Sequence, residues 1–261
     1  MENVYDFTGK RVLVTGGGRG IGLGIVKKFV QLNATVIVLD IDDTLLENLA
    51  INYPTVIRVK VDLRSWDDTK KAVESVLPIN HLVNNVGFPN TPNFPNLSED
   101  DVNFIFDLNF KSYLNVGQVV AKDMLKNKIE NATIVNISSA ADNMHLCNGG
   151  GTAIYSCSKA AVTTLTKVMA KELSPFGIRV NSIRPSATNT ELQRGLPEEF
   201  HNLMMKPLLT RHLHNRLIET DEIADGVIFL SSQMSTMITG SSLTIDGGNY
   251  IPVIIYYGTL M

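Results

Sequence analysis

Arg11-Val12-Leu13-Val14-Thr15-Gly16-Gly17-Gly18-Arg19-Gly20-Ile21-Gly22 is the stretch that decides the fold. A β-branched apolar run, read as a strand over Arg11–Thr15, passes into glycines and then into an amphipathic stretch, read as a helix over Gly22–Leu32. Strand, glycine turn and helix in that order make a phosphate cradle. Glycines let the main chain bend sharply and come close to a diphosphate, and the first N–H groups of the helix meet its charge. A glycine cluster alone is a weak signal; its place between strand and helix gives it weight.

The same alternation continues along the chain. Further strands are expected at Thr35–Asp40, Val56–Val61, His81–Asn84, Thr133–Ile137, Arg179–Ile183 and Ser242–Ile245. Helices are expected at Asp43–Asn52, Trp66–Val76, Glu99–Lys126, Ile154–Leu173 and Asp221–Ser231. Several strands are continuous apolar runs, as needed when helices cover both faces of a sheet. The expected fold is therefore α/β: one doubly wound parallel sheet of about seven strands with helices on both faces. Ser98-Glu99-Asp100-Asp101 reads as a helix cap followed by acids that favour the positive helix end. No linker or repeat divides residues 1–261, so a single domain is expected. Its irregular segment, 186–219, is read as a variable substrate lid.

Composition narrows the function classes. With 44% hydrophobic residues, 19% charged residues and a net charge of −3, the chain can build a core and carries no broad basic field, which argues against nucleic acid. Two cysteines, Cys147 and Cys157, do not make a disulfide framework. No stretch reads as a signal peptide or membrane span, so a cytoplasmic protein is expected. His201, His212 and His214 lack the partners of a zinc site, no metal is expected, and they are read as surface or pocket-edge residues.

The residue types at the strand ends point to a dinucleotide. Asp40, closing the second strand, can accept from adenosine ribose hydroxyls and would repel a 2′-phosphate, which favours NAD over NADP. Arg19 is the counter-signal, because a guanidinium can reach that phosphate. Asp62 is read as an acceptor for the adenine amino group, or as a strand-end or helix-capping acid. Asn85 and Gly87, after the fourth strand, can lie beside the cofactor. Tyr155 and Lys159 stand four apart on one helix face. A lysine cation beside a phenol lowers its pKa from ~10 and suits it to acid–base work on a carbonyl or hydroxyl carbon. Ser139, at a strand end, can hold the substrate oxygen and is preferred to Ser138, which should point to the opposite side of the strand. Asn109 is read either as a tie from Lys159 to water, through its backbone or amide, or as a helix-bend or buried polar partner.

With those residues in place, the chain resembles the short-chain dehydrogenase/reductase family over nearly its whole length. The resemblance rests on Thr15–Gly22, Asn84-Asn85-Val86-Gly87, Asn109, Ser139, Tyr155, Lys159, Asn181, Pro185, Thr190 and Asp246-Gly247-Gly248. It implies a Rossmann-type sheet and a catalytic set of Ser139, Tyr155 and Lys159 with Asn109 in support. It implies a cofactor lodged among Gly16, Arg19, Gly20, Ile21, Gly22, Asp40, Asp62, Leu63, Asn85, Gly87, Tyr155, Lys159, Pro185, Thr188 and Thr190. Val61–Trp66, Ser75–Asn84 and Tyr155–Ala170 look like dicarbonyl/L-xylulose reductases, which are NADP-linked and lack an acid at the place of Asp40.

Departures from the family pattern shape the remaining expectations. The segment between Ser139 and Tyr155 is about three residues longer than in the family, so counting back the usual spacing gives Asp142 rather than a serine. The strand should hold Ser139 while residues 142–152 bulge toward the substrate. Met204, Met205, Leu208 and Leu209 suggest a pliable apolar cover. The expected activity is NAD-dependent interconversion of an alcohol and its carbonyl. The substrate is a terpenoid, steroid or lipid-like alcohol, or a small diketone or sugar. The alternative is a catalytically silent nucleotide-binding regulator. The apolar tail Tyr250–Gly258 is expected to pack on a neighbouring subunit of a dimer or tetramer, or on its own.

Overall fold

The computed structural model describes residues 5–89, 92–142, 152–195, 209–210, 212 and 214–249. Seven strands form one sheet: β1 (Arg11–Thr15), β2 (Thr35–Asp40), β3 (Ile57–Lys60), β4 (His81–Asn84), β5 (Thr133–Ile137), β6 (Arg179–Pro185) and β7 (Ser242–Ile245). Their order is β3-β2-β1-β4-β5-β6-β7, and every pairing is parallel. The helices are α1 (Gly20–Gln31), α2 (Asp43–Asn52), α3 (Trp66–Glu74), α4 (Glu99–Phe106), α5 (Ser112–Lys126), α6 (Ala153–Leu173), the short α7 (Glu191–Arg194) and α8 (Thr220–Ser231).

The strand period of two sorts the core into two layers. Val12 and Val14 point into one layer with Ile25, Val26 and Phe29 of α1 and Val227 and Ile228 of α8. Leu13 points into the other with Leu82, Ile134, Val73 of α3 and Val116 and Val120 of α5. Strands buried on both sides have to be apolar throughout, and β1, β4 and β5 are buried at almost every position. Gly24 lets α1 lie directly on Thr220 at the start of α8; a Cβ there would stand 3.0 Å from the Thr220 Cβ.

The single helix expected over Glu99–Lys126 is two helices joined by a π-helical turn, Asp107–Lys111. Hydrophobic periodicity cannot reveal one extra residue in a turn, and such bulges gather at functional sites. Here the turn carries Asn109. The cap at Ser98 is a complete capping box with Asp101. The late helix begins at Thr220, one residue before the expected Asp221, and is capped by Glu219 in a box with Glu222. β3 is shorter than expected and β6 runs on to Pro185, whose partner is Ile245 of the last strand.

The order of the sheet reverses between β1 and β4, and ligands of such sheets bind in the crevice beyond the carboxyl ends at that point. Met204, Met205, Leu208, His201, Cys147, most of the 142–152 segment and the tail Tyr250–Gly258 lie outside the described residues.

Candidate active site

The crevice beyond β1 and β4 is a cavity of ≈ 430 Å³. Its floor is fixed by side chains that bind the main chain across the switch point. Asn85 Nδ2 donates to the carbonyls of Thr15 (3.1 Å) and Gly16 (3.0 Å). In return, Thr15 Oγ1 accepts from the N–H of Asn85 (2.9 Å) and of Val86 (3.2 Å). Gly22 is required by contact: a Cβ would lie 2.1 Å from the Gly16 carbonyl oxygen.

The α1 end of the cavity is built for an anion. Arg19 caps the helix without a side-chain hydrogen bond, so the first N–H groups are left to other acceptors. One already has an anionic partner: Gly20 N–H donates to Glu191 Oε2 at 3.1 Å, across from α7. A carboxylate at that N–H, glycines that admit close approach and a cavity beside them fit the diphosphate of a dinucleotide. At the far end Asp40 is held by three main-chain donors. Gly18 N–H (3.0 Å) reaches Oδ2, and those of Ile41 (2.8 Å) and Asp42 (3.2 Å) reach Oδ1.

Of the sequence-predicted residues, Gly16, Arg19, Gly20, Ile21, Gly22, Asp40, Asn85, Gly87, Ser139, Tyr155, Lys159, Pro185, Thr188 and Thr190 all border this cavity. Asp62, Leu63 and Asn109 do not. The Asp62 carboxylate is clasped by Arg64 through Nε and Nη2, which holds it below the usual carboxylate range. Leu63 is packed in the core. Phe88, Pro89, Leu108, Ile137 and Glu191 also border the cavity and are not singled out by sequence reasoning.

At the chemical end, β5 stops at Ile137 and places Ser138 and Ser139 at the carboxyl edge. Ser139 accepts from Ala141 N–H (3.1 Å), and its hydroxyl acts to lower the pKa of the Tyr155 phenol. Ser138 turns the other way: its hydroxyl meets the Lys159 carbonyl (2.9 Å) and Thr163 Oγ1 (2.7 Å). Tyr155 is half-buried at the start of α6.

From the sequence, Lys159 is expected to lower the pKa of Tyr155, and here the structure corrects the expectation. Burial raises the phenol, the Ser139 hydrogen bond lowers it, and the Asp142 charge raises it again, so that the net direction is upward. The Lys159 ammonium turns instead to the Ile137 carbonyl (2.8 Å) and the Tyr113 hydroxyl (3.2 Å) and lies 5.0 Å from the centre of the Tyr113 ring. Burial brings Lys159 down to about 7.

Asn109 takes the second of its two expected readings, a buried polar partner at a helix bend. Its amide is fully engaged: Oδ1 accepts from Phe88 N–H (2.9 Å), and Nδ2 donates to the Phe88 carbonyl (3.1 Å) and to Ser158 Oγ (3.1 Å). The side chain pins the β4 loop to α6. Of the two readings of the histidines, His214 is exposed, whereas His212 is buried at the pocket edge, with Nδ1 on the Arg216 carbonyl (2.9 Å) and Nε2 3.5 Å from Oγ of the cavity-lining Ser186. Among the described residues, no group of three His, Cys, Asp or Glu side chains comes together and no helix is long and apolar enough to cross a membrane.

Asp142 has a place that its position in a lengthened segment does not suggest. It forms a buried ion pair with Arg184 of β6, whose Nε is 2.8 Å from Oδ1, and accepts from Thr163 Oγ1 at 2.5 Å.

Comparison with known proteins agrees with this geometry. The family described as short chain dehydrogenase matches residues 10–200. The chain is 35% identical over 240 residues to L-xylulose reductase of Mesocricetus auratus, covering 92% of this chain and 96% of that one. It is 33% identical over 243 residues to carbonyl reductase [NADPH] 2 of Sus scrofa, covering 93% and 97%. Among solved structures, a short-chain dehydrogenase/reductase from Serratia marcescens superimposes with a TM-score of 0.84 at 30% identity, covering 93% of this chain and 98% of that one.

Proposed function

We infer, since the chain belongs to the short-chain dehydrogenase family, that it is a nicotinamide-dependent oxidoreductase in which Tyr155 exchanges a proton with the oxygen of a carbonyl or alcohol substrate. The observation that carries this reading is the convergence of Ser139, Tyr155 and Lys159 on one cavity, with Tyr155 and Lys159 on successive turns of α6.

A nicotinamide dinucleotide, when bound, would supply or accept the hydride. Ser139 and Tyr155 converge on one oxygen, Ser139 orienting it and Tyr155 giving or taking the proton. Because its pKa is raised, Tyr155 keeps its proton near neutral pH and is ready to donate, which suits reduction. Oxidation requires the phenolate and gains with rising pH. Gly16, Gly20 and Gly22 admit the diphosphate, and Glu191 must give up the Gly20 N–H to it.

We assign NAD as the preferred cofactor. Asp40 stands where β2 ends and borders the cavity, its oxygens fixed by three N–H groups, so it presents a carboxylate to the ribose and opposes a 2′-phosphate. The pig relative named for NADPH marks the other choice within the family. The substrate is a carbonyl compound of about the size of a ketose or diketone, lying against the apolar wall of Phe88, Leu108 and Ile137.

The test is oxidation of NADH and NADPH, followed by absorbance, with ketoses, diketones, steroids and terpenoid ketones. Tyr155→Phe is expected to bind NADH within a few-fold of wild type and to lose about 10²–10⁴-fold in turnover. Full turnover by that variant overturns the mechanism.

A further inference from the structure

Tyr113 is a buried polar side chain that the mechanism above leaves without a task. It sits on α5, 1% exposed, and its hydroxyl lies within hydrogen-bond reach of three groups: the Val86 carbonyl (2.9 Å), the Ile137 carbonyl (3.0 Å) and Lys159 Nζ (3.2 Å). A phenol has one proton, so it can donate to only one carbonyl at a time. Lys159 itself donates to Ile137 at 2.8 Å, the shorter contact. The consistent assignment is directional. The ammonium donates to both Ile137 and Tyr113, and Tyr113 donates onward to Val86.

We propose that Tyr113 is a positioning residue for Lys159: it and the Ile137 carbonyl occupy two of the three ammonium N–H groups and thereby aim the third into the cavity beside Tyr155. The chain of hydrogen bonds ends on an amide carbonyl that cannot take up a proton, so Tyr113 does not relay protons to solvent. Burial raises its phenol far above the ordinary range and Tyr155 raises it further, which keeps it neutral and available as an acceptor. Gly87 completes the arrangement. A Cβ there would stand 3.2 Å from Lys159 Nζ, so a larger residue would crowd the ammonium from the cavity side.

The titratable groups around Lys159 are few. Tyr155 is on its own helix and Tyr113 on α5. Asp142, on the short turn after β5, is paired with Arg184 of β6, and Asp107 and Lys111 of the π turn pair with each other at the surface. No carboxylate is hydrogen-bonded to the ammonium among the described residues. Its stabilisation therefore comes from neutral oxygens, and losing one of two is a large fraction of it.

The inference rests on the proposed function only for its catalytic meaning, a cation held beside the proton-exchanging Tyr155; the contact is tested without turnover. In unliganded protein carrying ¹³Cε-lysine, the signal absent from Lys159→Met identifies Lys159 in an NMR pH titration. Its midpoint is expected at about 7 in wild type and about one pH unit lower in Tyr113→Phe. In turnover, the limb of the kcat/KM profile that reports loss of the ammonium is expected to fall by the same amount, with NADH affinity little changed.

An unshifted Lys159 midpoint in a folded Tyr113→Phe protein overturns the proposal. Should that variant be too unstable, wild type below pH 7 provides a second measurement. A nuclear Overhauser contact between Lys159 Hε and the Tyr113 ring is expected, and its absence overturns the proposal equally. A shifted midpoint in a protein that turns over no carbonyl compound would leave the positioning role intact and remove the proposed function instead.

Discussion

Neutralising Asp142 separates two consequences of one buried charge. Its side chain is 4% exposed and that of its partner Arg184 is 13% exposed, so the pair is shielded from water and from salt. Removing one partner of such a pair costs about 3–5 kcal/mol, because the other charge stays behind. The amide introduced by Asp142→Asn would retain one oxygen for the guanidinium, so this variant should cost nearer the lower figure, about 3 kcal/mol. For a chain of this size that corresponds to a fall in Tm of roughly 6–12 °C. The second consequence is electrostatic. The Asp142 charge is one of two influences that raise Tyr155, and its loss also leaves the Arg184 cation unbalanced. Both changes favour the phenolate, so the pH at half-maximal oxidation should move down in Asp142→Asn. Arg184→Met leaves the opposite imbalance and should move it up while destabilising to a similar degree. The assays are thermal unfolding by circular dichroism and pH–rate profiles for alcohol oxidation. A downward shift in both variants, or none in either, would refute the reasoning, since a merely loosened site cannot produce opposite signs.

Asp40→Ser removes the carboxylate proposed to face the ribose. The NADP Kd should fall by at least about tenfold, roughly 1.4 kcal/mol, while the NAD Kd rises, as read by calorimetric titration; an unchanged preference would show that Asp40 does not select the cofactor. Glu191→Gln removes a charge from the N-terminus of α1 and should tighten NADH binding about two- to fivefold in a fluorescence titration. Weaker binding would mean that Glu191 assists the dinucleotide instead of standing in its place.

The parts that can be read from the sequence are those whose determinants are close together along the chain. β1, its glycine turn and α1 lie within 11–31, and the apolar runs of the other strands are long enough to give a doubly wound sheet. Tyr155 and Lys159 are four residues apart, so their common helix face follows from helix geometry alone. What escapes depends on contacts between distant segments. Sequence reasoning does not see that the lysine also meets a second phenol, because Tyr113 looks like an ordinary core aromatic until β4 and β5 bring the Val86 and Ile137 carbonyls around it. Glu191 reaches Gly20 across 171 positions of sequence. Asn109 belongs to a helical stretch, as expected, but its π turn redirects the amide to Phe88 and Ser158. Asp142 has a signal, its coincidence with the usual spacing from Tyr155, and the ion pair with Arg184 on another strand gives it a different meaning.

Thr15 and Asn85 lock the two inner strands to each other by four hydrogen bonds across the crevice floor, and that rigidity has an evolutionary reading. One jaw of the cleft cannot yield to the shape of a new compound. Any widening of substrate range is expected to come from the other cavity walls, such as Leu108 and Ser186, and a laboratory search for altered specificity would do best to start there.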